Sequence, residues 1–222
     1  MTKIWHKIED LAAKIENKFA ETGENYKESE DDYDWYNKLY RSLSYRRAHV
    51  EIVDKRELHG IFILHSTVFP HFNDPSPIWG FDVICGANKI TGAFHDFSNA
   101  GDPNHVMVKW FEDRTSSLEW SKPRQLPEWA KQIFSPAMIA AGNIQLQSEI
   151  DLLCDTALQT LDYYLDNVGK TQESGFDFHM AQNRYCYYQK QNPQVAKSMV
   201  AMGVPVQVIT SFVNNVLFPE VT

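Results

Sequence analysis

Between residues 45 and 98 the chain lays down four short runs rich in β-branched and aromatic residues: YRRAHVEIVD, HGIFILHSTVFP, PIWGFDVICG and NKITGAFHDFS. The links between them, Lys-Arg-Glu, Asn-Asp-Pro-Ser-Pro and Gly-Ala-Asn, are short and turn-forming. A parallel crossover needs about a dozen residues or more, so links this short join antiparallel neighbours. The middle of the chain is therefore a sheet of consecutive antiparallel strands.

Helical patterns flank it. Ile4, Ile8, Leu11, Ile15 and Phe19 recur at helical spacing over residues 3–20. The acidic, aromatic segment NYKESEDDYDWYNK that follows reads as a solvated loop anchored by Tyr and Trp. Beyond the strands, PEWAKQIF reads as a short helix with Pro127 in its first turn. SEIDLLCDTALQTLDYYLDNVG is long, with a stripe of Ile150, Leu153, Ala157, Leu161 and Leu165 and a stop at Gly169. FDFHMAQNRYCYYQKQN ends before Pro193, and PQVAKSMVAMG and PVQVITSFVNNVLF are each opened by a proline. Strands grouped between helices give an α/β fold: a three-layer α/β/α sandwich with a central, mainly antiparallel sheet. Its 222 residues suit one domain, 1–222.

Composition narrows the function classes. A net charge of −8 argues against nucleic-acid binding. No apolar run approaches the ~18 residues of a membrane span. MTKIWHKIED carries charges where a secretory leader needs an apolar stretch, which implies a cytoplasmic location. Cys85, Cys154 and Cys186 form no CxxC and read as reduced, buried thiols, not as an iron–sulfur site. No helix shows a surplus apolar face, so a monomer is expected.

The strands carry polar residues where a core would not want them. Side chains alternate along a strand, so His49 and Glu51 share one face of AHVEIVD, opposite Val50 and Ile52. His65 in IFILHSTVF and Asp82 in WGFDVICG sit among apolar neighbours. Buried without partners, such groups cost several kcal/mol each. Singly, each has an ordinary structural explanation: a satisfied core histidine, a backbone-bonded carboxylate, a solvent-facing strand edge. Together they place four titratable groups on three consecutive strands, where they can converge on one pocket. Metal binding lacks an HxxEH-type spacing. Nucleophilic hydrolysis lacks an elbow around Ser66 or Cys85. A nucleotide or flavin cofactor lacks a GxGxxG or a P-loop. Acid–base work on a bound substrate remains, with His and carboxylates holding pKa values near neutrality.

The runs HVEI, LHSTVFP, PIWGFDVICG and ITGAFHDFS, with YCYYQKQN and VNNVLFPEV nearer the C-terminus, resemble the ferredoxin-dependent bilin reductases. The likeness is good over 45–98 and fair over 180–221. Within that family the chain is similar to the branch that makes phycocyanobilin and to a viral branch that makes phycoerythrobilin. The resemblance implies biliverdin IXα held between the sheet and the C-terminal helices. It implies no bound cofactor and no metal, with reduced [2Fe-2S] ferredoxin as external donor of single electrons. Residue by residue, it implies that Asp82 and His65 protonate the bilin. Glu51 becomes the donor to the D-ring vinyl, and His49 a residue that relays or positions protons. Lys190 matches a basic contact to a substrate propionate, with Arg46 and Arg47 as further candidates or as solvated charges.

The match has departures. The family's propionate-binding arginine falls at Gly142 in FSPAMIAAG, and the link between His49 and His65 is two residues longer. The viral branch carries Asp at the position of Glu51, so Glu51 favours phycocyanobilin, while the compact N-terminus favours the viral branch. A non-catalytic bilin carrier would use the same pocket without needing Asp82 and His65. Plant-type ferredoxins are acidic, so a chain of charge −8 needs a local basic patch to receive one. Lys170, Arg184, Lys190 and Lys197 are the candidates among the C-terminal helices.

Overall fold

A computed structural model describes residues 3–27, 33–171, 175 and 177–221. Helix α1 (Ile4–Thr22) leads into β1 (Glu24–Tyr26), β2 (Tyr36–Arg41) and β3 (Tyr45–Lys55). A single helical turn, α2 (Arg56–His59), joins β3 to β4 (Ile61–Pro70). β5 (Ile78–Cys85) and β6 (Ile90–Ser98) follow, then α3 (Val106–Thr115), β7 (Ile139–Ala141) and α4 (Gln147–Asn167). The described C-terminal part is α5 (His179–Gln189), α6 (Pro193–Ala201) and α7 (Val206–Phe212), which runs into a π-helical turn, Val213–Leu217. Among the described residues seven strands lie in chain order, β1 to β7, and every adjacent pair is antiparallel. The short links therefore produced the expected meander.

Alternation along the strands divides the sheet into two faces. One face carries Ala48, Val50, Phe62, Leu64, Val68, Trp79, Phe81, Val83 and Phe97 into a core shared with α1, α3 and α4. The stripe expected on α4 is buried there at Ile150, Leu153, Ala157 and Leu161, with Leu165 half-buried. Each large apolar side chain removed from water contributes roughly 1.5–3 kcal/mol, so this layer supplies much of the driving force for folding. The other face meets the C-terminal helices, where Phe69 and Ile78 pack with Tyr185, Cys186, Met199, Ile209, Phe212 and Phe218. The result is the α/β/α sandwich.

Two local expectations need correction, and one helix adds to them. The acidic, aromatic segment is not a loop throughout, because it contributes β1 and β2; its residues 28–32 lie outside the described ones. Long-range contacts decide this. Glu16 of α1 accepts hydrogen bonds from Tyr36 Oη (2.5 Å), Lys38 Nζ (2.6 Å) and Tyr40 Oη (2.9 Å), which holds β2 on the sheet edge. PEWAKQIF forms only a 3₁₀ turn at Ala130–Gln132. The chain beyond it is fixed by Ser135, whose backbone N–H (2.9 Å) and hydroxyl (2.5 Å) both donate to Asp96. Helix α3 has no strong apolar stripe in sequence; the His105 imidazole caps it by accepting from the Met107 N–H at 3.3 Å. The three cysteines are buried and free. Among the described residues no helix is long and apolar enough to cross a membrane.

Candidate functional site

Register brings the singled-out residues together. Glu51 lies opposite His65 across the β3–β4 pair, and His65 lies opposite Asp82 across the β4–β5 pair. The row continues to Asn37 on one side and Phe94 on the other. His49 stands two residues from Glu51 on the same face. Strands are about 4.8 Å apart, so this row is an acid–imidazole–acid line one side chain wide. All four residues face the C-terminal helices.

The inner end of the row is closed. His49 is fully buried, and Glu51 is 5% exposed. The His49 and His65 rings stand 6.0 Å apart. Phe212 covers His49 at 6.3 Å, and Phe218 meets His65 edge-on at 5.8 Å. Phe212 is itself gripped by Tyr33 and Trp35. His49 Nε2 bonds Asn37 Oδ1, whereas its Nδ1 has no partner among the described residues. His65 Nε2 has none either, and its Nδ1 lies 4.0 Å from Asp82 Oδ1. Buried polar atoms in native proteins are nearly always paired, so orphaned nitrogens on two neighbouring rings mark a place built for something else.

The outer end is open. A third of the Asp82 side chain is accessible, against an eighth for His65. Ile63, Ile84 and Phe94 are half-buried on the same face, and Ile63 pairs with Ile84. Gly92 lies opposite Ile84, and a Cβ there would come within 3.1 Å of the Phe94 ring. The absent side chain keeps this strip flat. The face is thus an apolar platform that ends on Asp82 and His65.

Burial sets the electrostatics. Desolvation pushes the Glu51 carboxyl up to about 8, reinforced by the nearby Asp82 charge and opposed by the Trp35 indole. Desolvation pushes Asp82 up to about 7. Its accessible third means that water moderates this shift in the open cleft and that a covering ligand would strengthen it. Burial, then the positive field of Arg47, brings His65 down to about 4. His49 is held well below the ordinary imidazole range by burial, then by Arg47 and His65. At neutral pH the imidazoles are therefore neutral and Glu51 holds its proton, while Asp82 stands near its midpoint.

The three basic residues expected at the substrate do not gather at this platform. Arg47 is fully buried, and its Nη2 donates to the Val216 carbonyl in the π-helical turn. It is neither a solvated charge nor a surface clamp; it joins β3 to the C-terminal layer. Arg46 Nε donates to Gln182 Oε1 at 2.7 Å, and its guanidinium rests on Phe69 and Phe72. Lys190 Nζ pairs with Glu220 at 2.8 Å. Of the expected docking patch, Lys170 follows α4 in the opposite layer, while Arg184 and Lys197 are exposed on α5 and α6. Sequence reasoning missed Asn37 and Trp35 because both fall in the segment read as a loop. Among the described residues, no group of three or more His, Cys, Asp or Glu could hold a metal ion.

A meander sheet whose helix-covered face carries an acid–imidazole–acid row beside a flat apolar platform sets groups able to carry protons next to a surface able to seat a planar ligand. The model of the ferredoxin-dependent bilin reductase family matches residues 1–219, and the chain belongs to that family. It is 25% identical over 174 residues to the phycocyanobilin:ferredoxin oxidoreductase of Trichodesmium erythraeum. That match covers 72% of this chain but 66% of the relative, so the chain spans slightly less than two thirds of it. With an enzyme of the same name from Prochlorococcus marinus it shares 24% identity, over 94% of this chain and 83% of the relative. Among solved structures, one named PcyX superposes with a TM-score of 0.67 at 26% identity, covering 98% and 99% of the two chains. Tomato phytochromobilin synthase in complex with biliverdin has the same fold, with a TM-score of 0.69 at 15% identity, covering 96% of this chain and 82% of the other.

Proposed function

We propose that this protein reduces biliverdin IXα to a phycobilin by four single-electron transfers from reduced ferredoxin. Four protons enter with the four electrons, so the pigment loses two double bonds overall. The observation that carries this reading is the Glu51–His65–Asp82 row at the end of the apolar platform. A bilin is a flat, largely apolar chromophore with polar nitrogens and lactam oxygens along one edge. Laid on Ile63, Ile84 and Phe94, it brings that edge to Asp82 and His65. Covering Asp82 dries it and favours its neutral acid, the form that can protonate the pigment. Protonation makes the bilin easier to reduce, because the incoming electron then neutralises a charge instead of creating one. Neutral His65 accepts a proton from Asp82 or a water and passes it on. Glu51, protonated at neutral pH, is the second donor, aimed at the far end of the pigment. His49, fixed by Asn37, positions the row. Family membership supports ferredoxin as the donor.

Glu51 favours phycocyanobilin as the product. The test is anaerobic turnover of biliverdin with reduced ferredoxin, followed by absorbance and chromatography of the product. A blue product identified as phycocyanobilin supports the whole assignment. Phycoerythrobilin would keep the reaction class and remove Glu51 as the determinant of product. Binding without conversion would make the chain a bilin carrier.

A further inference from the structure

The proton row does not stop at Phe94. Across the β6–β7 pair Phe94 faces Ala140. Outside β7 lies the segment around Lys122–Arg124, which continues the sheet without forming a named strand. The Arg124 N–H donates to the Ala140 carbonyl (2.8 Å), the Gly142 N–H donates to the Lys122 carbonyl (3.0 Å), and Pro123 bridges Ala141 antiparallel. Arg124 therefore occupies the next position in the row that contains Glu51, His65 and Asp82.

Its side chain leans back over the platform. The guanidinium centre lies 5.8 Å from the Phe94 ring, and Nη2 donates to the Thr91 carbonyl at 2.5 Å. The space it uses exists because residue 142 is glycine: a Cβ there would collide with Arg124 Nε. Arg124 is exposed, and no carboxylate pairs with it among the described residues. The other basic groups expected near the substrate are taken, Lys190 by Glu220 and Arg46 by Gln182. At the open end of an apolar platform, a guanidinium with spare donors is a fork for an anion.

We propose that Arg124 is a substrate-positioning residue that binds a propionate carboxylate of the bilin and so fixes how the pigment slides along the row toward Asp82. This rests on the reading of the platform as a bilin site. Phe94 is one strand step, about 5 Å, from Asp82, so a guanidinium above it lies within reach of a propionate on a ring stacked beside Asp82. The contact leaves the pyrrole nitrogens at the proton donors and the charged tail at the solvent edge. Gly142 is the permissive half of the pair.

The test compares biliverdin with biliverdin dimethyl ester, in which both propionates are neutral, by absorbance titration. In the unaltered protein the diacid should bind about tenfold more tightly than the ester, a preference that weakens with salt. Arg124→Ala should abolish most of that preference by weakening the diacid alone. Arg124→Ala combined with Gly142→Arg should restore it, because a guanidinium returns to the same space from the neighbouring backbone. Equal loss for diacid and ester would show that Arg124 shapes the platform and binds no carboxylate, and would overturn the proposal. So would an unchanged preference. If the unaltered protein bound neither pigment, the bilin reading itself would fall, before any substitution was made.

Discussion

Two histidines on the same sheet face opposite ways, and burial brings both down to about 4. His95, on β6, points into the core beneath α3 and α4. Its Nδ1 reaches the Gly80 carbonyl and its Nε2 the Thr160 hydroxyl, each at 2.7 Å. His65, on β4, points toward the C-terminal helices with Nε2 unpaired among the described residues. The carboxylates differ in the same way. Asp96 is raised only to about 6, because Ser135 and Ser98 donate to it while burial pushes it up. Asp82 receives no hydrogen bond from the protein among the described residues, and desolvation is the cause named for its shift. A perturbed pKa thus does not separate architecture from chemistry here. Satisfaction does: one pair has every valence filled by the protein, and the other pair leaves room for a ligand.

That contrast is open to attack. The largest effect should come from Asp82→Asn, which keeps size and polarity but removes the acid. Ferredoxin-supported turnover should fall about 100-fold or more while biliverdin still binds. Asp96→Asn should leave the turnover of folded protein within a few-fold and appear in urea unfolding instead, as a loss of about 1–3 kcal/mol. If Asp96→Asn were as harmful to chemistry as Asp82→Asn, the distinction would collapse. The histidine pair sharpens it. His95→Ala should destabilise by about 2–4 kcal/mol by opening a cavity and removing the hydrogen bonds to the Gly80 carbonyl and the Thr160 hydroxyl. His65→Gln should cost little stability but slow turnover about tenfold or more.

A smaller effect concerns stability against pH. The Glu51 carboxyl sits at about 8 in the fold against an ordinary 4.5. The native state therefore holds a proton that the unfolded chain has released between those values, and stability falls as pH rises through that window. Glu51→Gln removes the titration, so urea denaturation at pH 5 and pH 8 should show a shallower decline. The variant should gain roughly 1–3 kcal/mol on the parent at pH 8, and its loss of phycocyanobilin formation would separate function from stability. A variant with the same pH slope as the parent would show that Glu51 is ionised in the fold. The smallest effect is on turnover: with saturating biliverdin it should decline as pH rises above about 7 to 8, as Asp82 and Glu51 lose their protons, and Asp82→Asn should remove the Asp82 part of that limb.

The elements that sequence reached correctly were those whose pattern is local. The stripe of α4 needs only a 3.6-residue period, and the meander from β3 to β6 needs only β-branched runs and short turns. The alternation that put His49 and Glu51 on one face is equally local, since a strand has a period of two whatever surrounds it. Where local pattern is weak, tertiary contacts decided. β2 carries Tyr, Asn and Lys like a loop and becomes a strand because Glu16, twenty residues earlier than Tyr36, binds three of its side chains. PEWAKQIF looks helical and ends as one 3₁₀ turn because Ser135 is bound to Asp96.

For the site, the sequence by itself determined the residue types, two acids and two imidazoles on three apolar strands, and the shared face of His49 and Glu51. Their alignment into one row was decided by cross-strand register, which links residues that no local period connects. The basic residues show the same boundary. Arg46, Arg47 and Lys190 look equivalent along the chain, but the fold buries Arg47 against Val216, stacks Arg46 on Phe69 and Phe72, and pairs Lys190 with Glu220. Arg124, in a segment without any motif, reaches the open platform because Gly142 leaves it space. A charged side chain's role depends on which partners come within about 4 Å, and that distance is set only when the whole chain has folded.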